Sequence, residues 1–236
     1  MCDDKVGRVV REVQALGSPE HALILSRFFK TGPGEYGEGD CFLGVKVPPL
    51  RKLAGCYFAL LSLNEIELLL QRPEHELRLL ALLMWVARFE KSKGGAEREE
   101  IVVRYLRNTH RINNWDLVDL SAYKILGPHC GAHGSDLLYR LAGSGMLWEE
   151  RMAIIATLYY IRNGDYSHTL AIALLLMRHR HDLIHKAVGW MLREVGKRDF
   201  DTAYAFLKEH YRMMPRTMLR YAIERYPEAV RREMMG

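Results

Sequence analysis

The second half of the chain places the starts of apolar helical segments at a nearly constant spacing. Trp115, Trp148, Asp182 and Pro215 each open such a segment, so the intervals are 33, 34 and 33 residues. Shorter helices are predicted between these starts, at about 135–142, 167–179 and 199–212. A period of this size with two helices per unit is typical of an α-solenoid. The repeat therefore predicts antiparallel helix pairs that share one concave, basic surface.

The first half of the chain is also predicted to be helical. Alternating patterns are absent and β-branched runs are short, which argues against strands. The predicted helices are 3–16, 19–30, 49–61, 63–70, 74–91 and 97–108. Ser18 and Pro19 form a strong helix start, Phe28 and Phe29 are expected to close that helix against the core, and the helix 74–91 is expected to be amphipathic. We therefore predict an all-α fold that forms a single domain, 1–236.

A glycine-rich segment, TGPGEYGEGD, occupies residues 31–40. Its glycines fit the letters G-x-G-x-x-G, but a dinucleotide site needs a preceding strand and a helix that opens within the motif. Here a helix precedes the segment, Pro33 interrupts it, and Glu35 would repel a pyrophosphate. We interpret the segment as a structured loop that carries Tyr36 near the active face.

Composition and charge limit the class of protein. The net charge is +5, and residues 178–232 hold 13 basic and 7 acidic residues, which suits either a polyanionic partner or a solvated helix face. There is no run of 18 apolar residues and no apolar segment near the N-terminus of the kind a secretory signal requires, so we expect a cytoplasmic protein without a membrane span. Cys2, Cys41, Cys56 and Cys130 are far apart, which indicates reduced thiols. The histidines lack ligand spacing, and we predict no metal and no cofactor.

The stretch NNWDLVDLSAYKILG, residues 113–127, combines an indole and a carboxylate with a largely apolar helix. Trp115 and Asp119 are four residues apart and therefore share one face of that helix. The helix is expected to end at the pair Gly127–Pro128, since proline cannot continue the hydrogen-bond ladder. From these residues alone, Asp119 is either a satisfied helix carboxylate or a group that acts on a substrate.

The predicted helix 182–196 carries polar residues on one face. Lys186, Trp190, Arg193 and Lys197 follow one another at helical spacing, apart from the apolar stripe. A tryptophan among cations suits a nucleic-acid backbone with a stacked sugar or base, although a tryptophan at a helix–helix seam is the alternative.

Two more arginines, Arg151 and Arg220, lie on helices that occupy equivalent places in their repeats. The repeat would bring them to the same concave surface as Lys186 and Arg193. Alternatively, Arg151 has a structural role and pairs with a nearby carboxylate; the candidates are Glu149, Glu150 and Asp119.

Several long motifs, in the same order along the chain, resemble the AlkD family of DNA glycosylases. They are FFKTGPGEYGEGDCFLGVKVPPLRKLA (28–54), NNWDLVDLSAYKILG (113–127), WEERMAIIATLYYIRNGDY (148–166), HKAVGWMLREVGKRD (185–199) and MPRTMLRYAIERYPEAVR (214–231). The resemblance covers nearly the whole chain. It implies HEAT-like repeats and removal of alkylated purines from duplex DNA, without drawing the base into a tight pocket.

The resemblance also implies roles for particular residues. Asp119 would be the catalytic carboxylate, with Trp115 and Trp190 as aromatic walls beside the lesion. Arg151 and Arg193 would hold phosphate, and Lys186 and Arg220 are expected to bind DNA beside them. Members of the family often have two arginines after the tryptophan of WxRR, whereas this chain has Glu150 before Arg151, which we expect to weaken phosphate binding locally.

The chemistry expected from this resemblance is hydrolysis of an N-glycosidic bond. An N3- or N7-alkylated purine is already cationic, so it leaves without a general acid, and one carboxylate suffices to stabilise the sugar cation. We expect a monomeric enzyme that leaves an abasic site. The alternative is a non-catalytic HEAT-repeat scaffold that binds DNA or a protein through its concave face.

Overall fold

The structure is a computed structural model that describes residues 4–236, and Cys2 lies outside the described residues. The chain divides into two compact units, the first running through Ser121 and the second from Ala122 to Gly236. Within the described residues the regular structure is helical, apart from an isolated bridge between Cys41 and Glu74. The prediction of an all-α fold is confirmed.

The helices of the first unit agree closely with the predicted ones. They are α1 (Lys5–Ala15), α2 (Pro19–Phe28), α3 (Val47–Tyr57), α4 (Leu63–Leu70), α5 (His75–Lys91) and α6 (Gly95–Arg107), followed by a 3-10 turn at Thr109–Arg111. Then α7 (Trp115–His133) begins in the first unit and ends in the second.

Side chains cap the starts of three of these helices. Asp4 accepts the N–H of Gly7 at the start of α1, and Ser18 accepts the N–H of His21 in front of Pro19. At the start of α4, Ser62 and Glu65 form a reciprocal capping box. Each cap satisfies backbone N–H groups that have no partner inside the helix, so these boundaries are encoded locally.

Helix α5 differs from its prediction, because it is buried on nearly every side rather than amphipathic. Leu77, Leu80, Met84 and Trp85 are all fully buried. The reason is its central position, since α3, α4 and α6 all pack against it. A helix surrounded in this way needs apolar residues around its whole circumference.

The segment before α3 is held to α5 by one carboxylate. Glu76 is buried and accepts the backbone N–H groups of Leu43 (2.9 Å), Gly44 (2.7 Å) and Val45 (3.1 Å). Gly44 has φ +84°, and a Cβ there would lie 2.1 Å from the carbonyl oxygen of Ser18. Only glycine fits this position, and the carboxylate of Glu76 anchors the backbone N–H groups of the segment.

The second unit contains the helix starts that the repeat predicts. Its helices are the end of α7, then α8 (Asp136–Ala142), α9 (Leu147–Ala156), α10 (Leu158–Arg162), α11 (Ser167–Leu176), α12 (Asp182–Gly196), α13 (Phe200–His210), α14 (Arg216–Ala222) and α15 (Glu228–Met235). Helices α7, α9, α12 and α14 begin within one residue of the predicted starts. Helix α12 packs on both α9 and α14, and the small residues Ala153, Ala187 and Ala222 are buried there. This stacking fits a solenoid of helix pairs, and the concave basic surface stays a prediction.

The predicted end of α7 at Gly127–Pro128 is wrong, since the helix continues to His133 with Pro128 inside it. Gly127 lies against α10, where an added Cβ would be 2.5 Å from Cβ of Tyr159. Gly131, one turn later, would also meet the Tyr159 ring. Close packing of α7 on α10 through two glycines outweighs the loss of one backbone hydrogen bond at the proline.

Three cysteines are described, and all are free thiols, as predicted. Cys41 and Cys56 are exposed, whereas burial raises the pKa of Cys130 to about 11. Among residues 4–236, no helix is both long and apolar enough to cross a membrane.

Replacing Glu76 with glutamine should lower the free energy of unfolding by about 3 kcal/mol, because three N–H groups lose a charged acceptor. Urea denaturation measures the change. Glu20→Gln is the matched control, since Glu20 is exposed in the first turn of α2 and should change stability by less than about 0.5 kcal/mol. Equal stabilities of the two variants would contradict the anchoring role of Glu76.

Gly127→Ala should lower the free energy of unfolding by about 1–3 kcal/mol, because the new methyl group overlaps Tyr159 and the backbone oxygen of Ala156. The control is Gly55→Ala in α3, where an added Cβ meets no atom within 4 Å. That variant should gain up to about 1 kcal/mol from helix propensity. Thermal denaturation of the pair separates close packing from propensity, and stabilisation of both would refute the packing argument.

Candidate active site

Trp115, the first residue of α7, is held in place by phenylalanines from the end of α2. Its ring stacks on Phe29, with centroids 5.1 Å apart and planes at 18°, and meets the edge of Phe28 at 5.9 Å. Phe29 is buried as predicted, whereas Phe28 is 60% exposed and does not pack in the core. Trp115 itself is half-buried. One face of the indole is therefore supported while the side chain keeps some exposure.

The aromatic contacts continue from Trp115 into the interior. Phe29 stacks on Phe42 at 5.0 Å, and Phe42 stacks on the imidazole of His75 at 4.5 Å. Trp115, Phe29, Phe42 and His75 thus form a series of stacked rings, which we call the aromatic stack. Its members come from α2, the following loop, α5 and α7, so the indole is positioned by the core of the first unit.

Asp119 lies one turn after Trp115 and is half-buried. The Asp119 carboxylate interacts electrostatically with Tyr105, a fully buried residue of α6. The hydroxyl groups of Tyr105 and Ser121 are joined by a 2.8 Å hydrogen bond. Burial raises the pKa of the Tyr105 hydroxyl well above its ordinary value, and the Asp119 carboxylate raises it further. Both interpretations of Asp119, a satisfied carboxylate or a catalytic one, stay predictions.

A buried polar network precedes Trp115, and the sequence analysis missed it. His75 lies between two carboxylates: Nδ1 is 2.9 Å from Asp40 Oδ2, and Nε2 is 2.8 Å from Asp116 Oδ2. Asp40 also accepts hydrogen bonds from Arg78 and from Asn114 (3.0 Å). We call Asp40, His75, Arg78 and Asp116 the charged cluster. Because both imidazole nitrogens face a carboxylate at hydrogen-bonding distance, His75 has no nitrogen left for a metal.

Arg78 extends this cluster towards the turn before α7. Its guanidinium donates to the side chain of Asn113 and to the carbonyl oxygen of Arg111 (3.1 Å). Arg78 is only 1% exposed, and burial together with the charge of Arg111 lowers its pKa to about 10. The sequence carried a signal for this site, since the polar letters H-E-L-R open an otherwise apolar helix.

Arg151, on α9, lies in the second unit and is only 5% exposed. One guanidinium nitrogen donates to the backbone carbonyl of Leu183, in the first turn of α12. Its neighbour Glu150 faces His179 at 2.9 Å. These contacts give Arg151 a structural role in fastening α9 to α12, whereas its predicted pairing with Glu149, Glu150 or Asp119 stays a prediction.

The predicted polar face of α12 exists, but acidic residues accompany its cations. Lys186 pairs with Asp182 at 2.7 Å, and Arg193 pairs with Glu224. Trp190 is half-buried and lies outside the core stripe, and its indole N–H donates to Glu194. The core stripe consists, as expected, of Ile184, Val188, Met191, Leu192 and Val195.

Glu194 also accepts a hydrogen bond from Lys197, the lysine at the end of this face. Burial disfavours its charged form, but hydrogen bonds from Lys197, Arg198 and Trp190 outweigh that effect and lower its pKa. The spacing of the cations in the sequence did not point to this carboxylate.

The predicted DNA-binding residues of the second unit therefore differ in accessibility. Arg220 on α14 is exposed, Lys186 and Arg193 are half-buried and paired, and Arg151 is buried. Within this unit, packing of α12 on α9 and α14 places the helices that carry them side by side. That these residues and the Trp115–Asp119 pair act on one substrate stays a prediction.

The chain resembles a known protein family and a solved structure. A family profile described as DNA alkylation repair enzyme matches residues 9–226. A solved structure described as a predicted DNA alkylation repair enzyme from Enterococcus faecalis superimposes with a TM-score of 0.71 and 19% identity, over 90% of this chain and 97% of that one. It shares the fold, and no curated protein gives a significant match. Because the profile covers nearly its whole length, the chain belongs to the family of DNA alkylation repair enzymes.

Proposed function

We propose that this protein is a monofunctional DNA glycosylase for cationic N3- or N7-alkylpurines in duplex DNA, which acts as a cytoplasmic monomer without a metal. The observation that carries the proposal is the Trp115–Asp119 pair on one face of α7, in a chain that belongs to an alkylation repair family. Trp115 is supported from behind by Phe29, and Asp119 follows one turn later.

The reaction needs little from the protein because the substrate supplies its own positive charge. Alkylation at N3 or N7 weakens the N-glycosidic bond, and the base departs without being protonated. Glycoside hydrolases generally need two carboxyl groups, one of which protonates the leaving group. Here a single anion, Asp119, stabilises the positive charge that develops on the deoxyribose and orients water to attack its C1′ atom.

The indoles of Trp115 and Trp190 would also stabilise positive charge. An aromatic face attracts a nearby cation by about 0.5–2 kcal/mol, depending on desolvation. Trp115 and Trp190 are both half-buried and would favour the cationic base and the sugar cation over a neutral nucleotide. The support from Phe29 lets Trp115 act without first being ordered, which lowers the entropic cost of binding.

Phosphate contacts would supply most of the affinity for DNA. The exposed Arg220 would bind directly, whereas Lys186 and Arg193 would exchange Asp182 and Glu224 for phosphate. Such an exchange costs little, since surface ion pairs contribute only about 0–1 kcal/mol. Arg151 would act mainly by fastening α9 to α12, and its burial adds to the effect of Glu150 in making a phosphate contact there weaker.

A second candidate is a non-catalytic scaffold that binds DNA or a protein. The burial of Arg151 and the acid partners of the α12 cations favour it, because they leave fewer cations immediately accessible. This candidate predicts binding of unmodified duplex with no base release. It also predicts that substitution of Asp119 changes neither property.

Asp119→Asn should reduce the single-turnover release of 7-methylguanine from duplex DNA by about 100-fold or more, because the developing sugar cation loses its counter-charge. The measurement is the amount of free base released with enzyme in excess. Asp201→Asn, an exposed position in the first turn of α13, is the matched control and should release base at the wild-type rate.

Three results of this experiment would decide between the candidates. Equal rates for wild type and Asp119→Asn would refute the catalytic role of Asp119. No release by the wild type from either 7-methylguanine or 3-methyladenine duplexes, with retained binding, would favour the scaffold. A selective loss in Asp119→Asn supports the glycosylase.

Arg193→Ala should weaken duplex binding and lower the slope of log K against log salt by about 1, because one phosphate contact is lost. Glu224→Gln should have the opposite effect on affinity, since it releases Arg193 from its acidic partner. Binding isotherms at several salt concentrations measure both, with Arg8→Ala in α1 as the control. An unchanged slope in Arg193→Ala would remove Arg193 from the DNA contacts.

A further inference from the structure

We propose that His75 is an imidazolium cation shared by Asp40 and Asp116, and that this bridge is the positioning device of the proposed active site. The inference rests on the proposed function for its catalytic consequence. The structural part of it concerns only the charged cluster and the start of α7, and it can be tested without any reaction.

The protonation state follows from the contacts of the two ring nitrogens. A neutral imidazole carries one N–H donor, whereas an imidazolium carries two. Asp40 and Asp116 lie 2.9 and 2.8 Å from the two nitrogens, so a neutral ring would direct one lone pair at a carboxylate oxygen. His75 is 2% exposed, and water does not relieve that repulsion.

Both carboxylates also accept hydrogen bonds from groups other than His75. Asp40 accepts from Arg78 and Asn114 in addition to His75. The second oxygen of Asp116 accepts the backbone N–H of Leu117 at 2.9 Å. A proton on Asp40 would displace the hydrogen bond of Arg78 or Asn114, and a proton between Asp116 Oδ2 and Nε2 resides on the imidazole because imidazole is the stronger base.

The remaining groups around the ring are compatible with a cation. Phe42 stacks on the imidazole at 4.5 Å and Phe29 lies at 5.1 Å, and aromatic faces favour a positive charge. Arg78 faces Asp40 rather than the ring, and Arg111 donates to the carbonyl oxygens at the end of α4 and just after it. Two carboxylates thus face two cations in the charged cluster, and none is left buried without a counter-charge.

The bridge joins three segments that are distant in sequence. Asp40 ends the glycine-rich loop, His75 begins α5, and Asp116 lies in the first turn of α7. Asp116 directly follows Trp115 and precedes Asp119 by three residues, so it fixes the rotation of the turn that carries both. Asn114, whose side chain accepts the N–H of Trp115 at 2.8 Å, is bonded to Asp40 as well.

This arrangement gives the glycine-rich loop a function that its sequence did not reveal. Gly39 has φ +83°, a conformation that other residues adopt only with strain, and it directly precedes Asp40. The role of the loop is thus to place the carboxylate of Asp40 beside the start of α7, not to bind a phosphate. Losing Asp40, His75 or Asp116 would let the first turn of α7 shift, and misplacement by about 1 Å can cost on the order of 100-fold in rate.

The first experiment is nitrogen NMR of the wild-type protein labelled with ¹⁵N-histidine at neutral pH. We expect both nitrogens of His75 to be protonated and their protons to exchange slowly with water. The signal is assigned from its loss in His75→Gln or, if that variant does not fold, from through-space contacts with the Phe42 ring. A ring with one protonated nitrogen would overturn the shared-cation bridge.

The second experiment follows the position of Trp115 directly. With 5-fluorotryptophan in place of tryptophan, the fluorine signal of Trp115, assigned by Trp115→Phe, should move in Asp116→Asn. It should not move in Asp136→Asn, an exposed position in the first turn of α8. An unmoved Trp115 signal in folded Asp116→Asn would overturn the positioning role. If Asp116→Asn does not fold, Asp40→Asn is judged by the same criterion.

The kinetic consequence separates positioning from binding. In folded Asp116→Asn, the maximal single-turnover rate of 7-methylguanine release should fall on the order of 10- to 100-fold while duplex affinity stays within about twofold. An unchanged rate would overturn the inference. Absence of release by the wild type would contradict the proposed glycosylase alone, because the two NMR measurements still decide the state of His75 and the position of Trp115.

Discussion

The first unit depends on the burial of three ionisable side chains at one end of an otherwise apolar helix. His75, Glu76 and Arg78 open α5, and each is at most 2% exposed. Removing charges from water costs several kcal/mol per ion unless partners replace the solvent. Glu76 therefore accepts hydrogen bonds from the backbone N–H groups of residues 43–45. His75 and Arg78 both contact Asp40, and His75 also contacts Asp116 at the start of α7. The same helix end thus orders both the glycine-rich loop and the turn that carries Trp115.

The second unit is organised mainly by close packing, to which the buried Arg151 adds a hydrogen bond between α9 and α12. Buried alanines on α9, α12 and α14 let these helices stack, and two glycines of α7 lie against Tyr159. Lys186, Arg193 and Arg220 lie nearer the surface than Arg151, and acidic residues partner Lys186 and Arg193. A surface of paired charges exchanges partners at low cost, which suits reversible, salt-sensitive binding to a polyanion.

The proposed chemistry fits a rigid site in the first unit and surface cations in the second. A substrate that carries its own positive charge needs an anion and aromatic faces held in a fixed geometry, and it needs no general acid. The aromatic stack and the charged cluster provide rigidity at the start of α7, where Trp115 and Asp119 lie. Affinity for DNA would come from a different set of residues, so rate and binding should respond separately to substitution.

Local sequence patterns were enough to predict the helix starts and to place Trp115 and Asp119 on one face of α7. Caps such as Ser18 and the capping box at α4 act within a few residues, and helical spacing places positions i and i+4 on one face. The continuation of α7 through Pro128 depends on packing against Tyr159, which local patterns do not predict. Several buried or paired charges likewise have partners about 30 to 40 residues away, as for His75 with Asp40 and Asp116, Arg193 with Glu224, and Arg151 with Leu183. Local rules do not reach such distances, and the cost of burying a charge becomes decisive only once the chain has folded around it.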